Sequence, residues 1–434
     1  MFVLRLLSLL LLLPALAATA SAQPLSCPSG LCTTIGRSML QWDATVRLRG
    51  LYYDPVRFGV GGGEDGLGLL RALGSVAYLR GDWQARLQLG AHAEAGRRGG
   101  PGGTDRGALD VQQAYGRWQR GALWVQAGRQ EAGYGSSRIL SVRDGPNIRL
   151  AYDGVRLGWR GAAGRVDLLA LQPVENRRGA FDDHGTRGAH LWGAYATVAA
   201  GPAYAGHWDI YLLDSQRDAA RFAEGRGRER RQTLGSRWFG QDGTLDWNVE
   251  AVGQAGHLRT DTALSGIRAW TVASDAGWRW PGVPLQPRLG LKVDIASGDR
   301  RAGDGRLQTF NALYPKSSYF SEASLLAPAN LMDVQPTVDL QFGERLSTQL
   351  GVQLAWKQQR ADAVYTTPAP LVPLPGSAGG ARRIGTQYKA ETRWQASDDW
   401  LWQWQLAWMD AGTALRQAGG RDTLFASLAG TWTW

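Results

Sequence analysis

The sequence predicts an all-β fold, a transmembrane antiparallel β-barrel of about 18 strands with both termini in the periplasm. Three observations predict it. The chain opens on a secretion signal, it closes on an alternating strand that ends in tryptophan, and the connections between alternate short and long.

The first 22 residues carry Arg5, an apolar run over 6–13 broken only by Ser8, and Ala20-Ser21-Ala22. A charged start, an apolar middle and a small-x-small site form a signal peptide, with cleavage expected before Gln23. Residues 23–40 form an N-terminal periplasmic segment with both cysteines, Cys27 and Cys32. An oxidising compartment favours a small disulfide loop. The C-x₄-C spacing, with no histidine near, does not suit zinc.

Residues 41–434 form the barrel. In 41–53, Trp42, Ala44, Val46, Leu48, Gly50 and Tyr52 share one face, while Asp43, Thr45, Arg47 and Arg49 share the other. The period of two marks a strand. The aromatics at its ends lie ten residues apart, which at ~3.3 Å per residue and a tilt near 45° spans roughly the 25 Å apolar band of an outer-membrane barrel. The third strand sets Trp83, Ala85, Leu87, Leu89, Ala91 and Ala93 against Gln84, Arg86, Gln88, His92 and Glu94. Later, Leu346, Leu350 and Trp356 oppose Gln349, Gln353 and Lys357. Ile384, Tyr388 and Trp394 oppose Arg383, Lys389, Glu391 and Arg393. Trp400, Trp402, Trp404, Leu406 and Trp408 alternate with Leu401, Gln403, Gln405 and Ala407. At the end, Leu424, Leu428, Trp432 and Trp434 face one way, and Thr423, Phe425 and Ser427 the other. A polar face of charge and glutamine opposite an apolar face rimmed by aromatics points to lipid on one side and water on the other.

Eight short and nine long connections give 18 strands. The long ones are expected over 54–66, 96–109, 131–147, 173–187, 216–228, 257–265, 297–332, 360–382 and 411–421. Short turns would face the periplasm and long loops the exterior. A barrel this wide should hold water unless loops fold inward, and 131–147 and 297–332 are long enough to do so.

Composition narrows the function. Net charge is +10, and only four of the 48 basic residues are lysine, so 44 are arginine. Arginine keeps its charge and matches carboxylates and phosphates with a planar fork. A secreted chain argues against nucleic acid as the target despite this balance. The inward parity offers Arg47, Arg49, Arg86, Arg237, Arg288, Lys292, Lys357, Lys389 and Arg393 as cations. Glu94, Asp246, Glu250, Asp294, Asp339 and Glu391 share that face, so cross-strand pairs should neutralise much of the wall. No G-x-S-x-G elbow is present, the five histidines are scattered, and the expectation is a protein that is not an enzyme. Asp299 and Asp304 sit among glycines without EF-hand spacing, so a flexible loop is expected there rather than a metal site, and no cofactor is expected.

Gly128-Arg129-Gln130-Glu131, Gly133-Tyr134-Gly135-Ser136, Val142-Arg143-Asp144-Gly145-Pro146-Asn147-Ile148-Arg149 and Tyr152-Asp153-Gly154-Val155-Arg156 resemble the alginate export family of outer-membrane proteins. Ala269-Trp270, Ala296-Ser297-Gly298-Asp299 and Thr309-Phe310-Asn311 add to the resemblance. It implies a monomeric 18-stranded barrel that conducts an anionic uronate polymer through a basic constriction. By motif, Arg129 and Arg149 resemble pore positions, with Asp153 beside them. Family exporters are expected to carry a long periplasmic gating loop late in the barrel, whereas Ser397-Asp398-Asp399 leaves only a tight turn here. The expectation is therefore a channel for anionic solutes, uronate polymer or oligosaccharide, with Arg129, Arg149, Asp153, Arg47, Arg49, Arg86, Lys389 and Arg393 as substrate-binding candidates. Partners would be outer-membrane lipid, the anionic solute and, for export, periplasmic proteins. The alternatives are an outer-membrane enzyme acting on lipid or polysaccharide, and a plugged structural barrel.

Overall fold

The computed structural model describes residues 31–201, 206–316, 318–366 and 371–434. The secretion signal and Cys27 lie outside the described residues, and Cys32 is disulfide-bonded.

Eighteen strands form the wall: β1 Ser38–Asp54, β2 Asp65–Arg80, β3 Trp83–Ala95, β4 Gly107–Arg120, β5 Leu123–Glu131, β6 Ala151–Gly161, β7 Gly164–Glu175, β8 Ala189–Ala199 and β9 His207–Phe222. They continue as β10 Gly225–Asp242, β11 Leu245–Thr260, β12 Leu264–Arg279, β13 Arg288–Ala296, β14 Leu331–Phe342, β15 Leu346–Lys357, β16 Arg383–Gln395, β17 Trp400–Ala411 and β18 Thr423–Thr433. Each pairs antiparallel with the next, and β18 returns to β1, with Thr45 opposite Thr433. The terminal Trp434 locks this seam by exchanging backbone hydrogen bonds with Ala44 at 2.8 and 2.9 Å. The wall therefore has no free edge, the condition for spanning lipid with strands. No described helix is long and apolar enough to cross a membrane.

The alternation read from β1, β3, β15, β17 and β18 holds in three dimensions. Leu48, Trp83, Leu406 and Leu428 are exposed on the outside, where lipid replaces water, while Arg47, Gln88, Ala407 and Phe425 are buried inside. Ile384 departs from its expected outward position. The register slips between Ala355 and Trp356 of β15, which face Gly385 and Arg383, and this bulge turns Ile384 into the interior.

Two expected long loops are also corrected. The stretches 216–228 and 257–265 are mostly strand, and β9–β10 and β11–β12 meet in tight turns at 223–224 and 261–263. The stretch 225–231 reads as a loop because arginine stands on both of its faces. Its outward side chains lie past the apolar band, so the apolar half of the alternation is missing.

The barrel is not an empty pipe. The described residues of segments 132–150, 297–330 and 358–382 fold into it and bring apolar side chains with them. Ile139, Leu140, Phe310, Leu313 and Tyr314 pack on inward residues of β6–β12, among them Tyr152, Leu171, Leu191, Leu213 and Leu258. A second cluster joins Phe320, Leu325 and Leu326 to Ile384, Met409 and Phe425 on β16–β18. Each fully buried side chain of this size contributes about 1.5–3 kcal/mol, so the infolded segments are held as a core is held. Buried polar side chains line the wall throughout, with Arg47, Arg49, Arg71 and His92 on β1–β3 and Arg231, Arg237 and Glu250 on β10–β11.

Candidate functional site

The polar side of the lumen begins with cross-strand geometry. Arg47 of β1 stands opposite Arg71 of β2, which stands opposite His92 of β3. Three like-charged or basic side chains in one row are unfavourable by themselves. Segment 132–150 answers them. Arg71 donates to the Asp144 carboxylate at 2.6 Å and to the carbonyls of Asp144, Pro146 and Asn147 at 2.8, 2.6 and 2.7 Å. Arg47 reaches the same carboxylate at 3.3 Å and the Asp144 carbonyl at 3.0 Å. Arg149, at the end of the segment, adds Nε to Asp144 at 2.7 Å and lies 3.6 Å from Glu131. Three guanidinium groups thus converge on one carboxylate. Arg47 and Arg71 are buried, whereas the Asp144 side chain is 61% exposed. Enclosure within the lumen, away from bulk water, pushes its carboxyl up, but Arg71, Arg149 and Arg47 outweigh that and hold it at about 2.

Arg49 lies beside this node. It donates to the Gly145 carbonyl at 3.0 Å, to Ser427 at 3.1 Å and to Glu322 of segment 297–330 at 3.1 Å. It therefore bridges both infolded segments. Arg86 sits nearer the termini, on Asp43 at 3.0 Å and Ser75 at 2.7 Å. Asn147 fixes the turn: its buried side-chain amide donates to the carbonyls of Leu70, Ala93 and Asp105 at 2.8, 3.1 and 2.9 Å.

The other candidates separate. Lys389 is buried and donates to the Phe320 carbonyl and to Gln335. Arg393 is exposed near the end carrying the termini, with no ion pair among the described residues. Arg129 and Asp153 are direct partners on β5 and β6, joined at 2.9 Å. They do not point into the lumen. Arg129 shares the parity of Leu123, and Asp153 that of Val155 and Leu157, all exposed on the outside. Their expected place in a pore is thus corrected to the outer face, where Arg129 also donates to the Asp183 carbonyl of segment 176–188 at 3.1 Å. There Asp110, Asp182 and Asp183 bring carboxylate oxygens within 4.8 Å of one another.

Two further wall cations, Arg237 and Arg288, are paired. Arg237 holds Asp209 at 2.6 Å, and Arg288 holds Asp246, Asp275 and Asp339 at 2.5, 3.2 and 3.3 Å. Sequence reading missed Arg71, because the surrounding stretch of β2 is apolar on both faces. Its signal was the register, which places it beside Arg47. Glu322 and the role of Asp144 depend on contacts far apart in sequence.

Open space lies toward both ends of the barrel, beside β1–β2 at one and beside β6–β10 at the other. Toward the long loops, a cavity of about 280 Å³ is lined by Arg49, Tyr53, Arg97, Gly145 and Glu322. Toward the termini, one of about 530 Å³ is lined by Gly135, Arg160, Arg165, Asp209 and Arg237.

The model of the family described as Alginate export matches residues 38–427. A search of curated protein sequences returned no significant match. Among solved structures, OccAB1 of Acinetobacter baumannii aligns with a TM-score of 0.60 at 10% identity, covering 91% of this chain and 96% of its own. OccK2 (OpdF) of Pseudomonas aeruginosa, solved in complex with glucuronate, aligns with a TM-score of 0.58 at 12% identity, covering 91% and 97%. The outer membrane protein OpdK of the same organism aligns with a TM-score of 0.59 at 11% identity, covering 91% and 99%. At such identities the likeness shows the fold.

Proposed function

The chain belongs to the alginate export family of outer-membrane β-barrels, and from that premise we propose that it is a channel for anionic solutes. The solute is a uronate, as oligosaccharide or polymer of the alginate kind. It passes along β1–β3, from the cavity at Arg49, past Asp144, to Arg86 and Arg393. The long loops lie outside the cell and both termini in the periplasm.

One observation carries this reading: Arg47, Arg71 and Arg149 share a single exposed carboxylate. An anion entering the lumen loses hydration and needs fixed cations in return, weak enough to release it. A uronate carboxylate placed near Asp144 meets guanidinium groups already oriented by the carbonyls of 144–147. The complex of OccK2 with glucuronate, itself a uronate, supports the substrate class. Only four residues, 396–399, join β16 to β17, which supports passage without a gating loop at that point.

The two apolar clusters support a second reading, a plugged structural barrel. Planar-bilayer recording separates the two. The channel reading expects steady conductance, a reversal potential in a salt gradient showing anion preference, and current block by glucuronate or its oligomers. Absence of conductance in a correctly folded protein would establish the plug, and cation preference would reject the uronate path.

A further inference from the structure

The outward face of β9–β12 changes character abruptly. On β12, Trp278, Val272 and Trp270 are exposed apolar side chains. The eight residue steps from Trp278 to Trp270 cover roughly 26 Å of strand, or ~20 Å of depth at a tilt near 40°. One outward step further stands Arg268, and around it gather Arg226, Arg228 and Arg230 of β10 with His257 and Arg259 of β11. Register makes this a patch: Arg228 faces Arg259, Arg230 faces His257, and Arg268 faces Ala255. All six are exposed. Asp218 pairs with Arg228 at 2.8 Å, and Asp214 with Arg230 at 3.3 Å. Arg226, Arg259 and Arg268 have no carboxylate partner among the described residues.

A guanidinium on the outside of a barrel is costly against acyl chains and tolerable only near the interface. Here the cations start where the apolar face stops, on strands that continue past it. Guanidinium forks bind phosphate in a bidentate way. We propose that this patch binds the phosphate groups of a lipid headgroup in the leaflet next to the long loops. With the orientation proposed above, on which this inference rests, that lipid is the phosphorylated glycolipid of the outer leaflet. Its acyl chains would lie on the apolar face and its phosphates on Arg226, Arg259 and Arg268.

The test uses the full mature protein in detergent with bisphosphorylated lipid A, and with the same lipid stripped of phosphate, read by native mass spectrometry. The wild type is expected to bind the phosphorylated form at least about tenfold more tightly, and the R226Q/R259Q/R268Q variant to lose that preference. Equal binding of both lipids, or a variant that binds like the wild type, would overturn the proposal. Displacement by millimolar inorganic phosphate would also overturn it, by showing a free-phosphate site. If the glutamine variant does not fold, R226K/R259K/R268K keeps the charge without the fork. It should retain part of the preference, and full retention would count against bidentate recognition. Bilayer ion selectivity of either variant should match the wild type, so failure here and failure of the channel reading are distinguishable.

Discussion

At the scale of single residues, Asp144 joins the infolded segment 132–150 to the proposed anion path. Three guanidinium groups hold its carboxyl at about 2, against an ordinary 3.8. A depressed carboxylate stabilises the fold above its ordinary range, and that contribution is lost as pH falls toward 2. Near neutrality the node is fully ionised and keeps an excess of positive charge. Asp144→Asn should deepen the anion preference in bilayer recordings. It should also lower stability by about 1–3 kcal/mol, because buried guanidinium protons lose an acceptor, and the temperature of the heat-dependent gel shift reads this. A second prediction uses the outward turn of Arg129. Arg149→Glu should move the reversal potential toward cations, whereas Arg129→Glu should leave it unchanged and speed proteolysis of segment 176–188. Equal shifts from both substitutions would contradict the parity of β5.

At the scale of elements, segment 132–150 is held more by carbonyls than by charge. Arg47, Arg49 and Arg71 all donate to backbone oxygens of 144–147, and Asn147 donates to three more. Asn147→Ala should cost about 1–3 kcal/mol and add flicker to single-channel traces by freeing the turn. Segment 297–330 carries a different control. Burial first, then the neighbouring Glu224 and Asp362, push the Asp299 carboxyl up to about 7. A raised carboxyl favours the docked state at low pH. That stabilisation is complete below the ordinary value near 3.8 and is lost as pH climbs through 7. Amide exchange in 297–310 should therefore accelerate above pH 7, and Asp299→Asn should remove the dependence. These elements also mark how far sequence reading reached. The faces of β1, β3, β17 and β18 were legible because lipid and lumen demand opposite residues at alternate positions. The turns of β9–β12 were not, since Arg226, Arg228 and Arg230 face neither acyl chains nor the interior. The infolding of 132–150 was legible only as a length. What pins it, Arg71 and Asn147 against Leu70 and Ala93, joins residues tens of positions apart.

At the scale of the whole molecule, the interior combines apolar packing with charged clusters. Along β6–β12, an apolar core in which Phe310, Tyr314 and Leu313 meet Leu171, Leu191 and Leu213 lies beside the buried pairs Arg231–Glu229 and Arg237–Asp209. The lining along β1–β3 is charged and borders open space at Arg49. An 18-stranded wall alone would enclose water. Here apolar packing fills part of the bore, and the proposed solute path keeps to the charged residues of β1–β3. This arrangement makes opposite predictions for two substitutions. Phe310→Ala opens a cavity in the apolar core and should cost about 3–5 kcal/mol, lowering the gel-shift temperature while leaving ion selectivity alone. Glu322→Gln removes the carboxylate that Arg49 holds at 3.1 Å and should strengthen anion preference and uronate block with a small change in stability. If Phe310→Ala altered selectivity as strongly as Glu322→Gln, solute would have to cross the apolar core. The barrel would then have to open by moving segment 297–330 rather than conduct along a fixed charged wall.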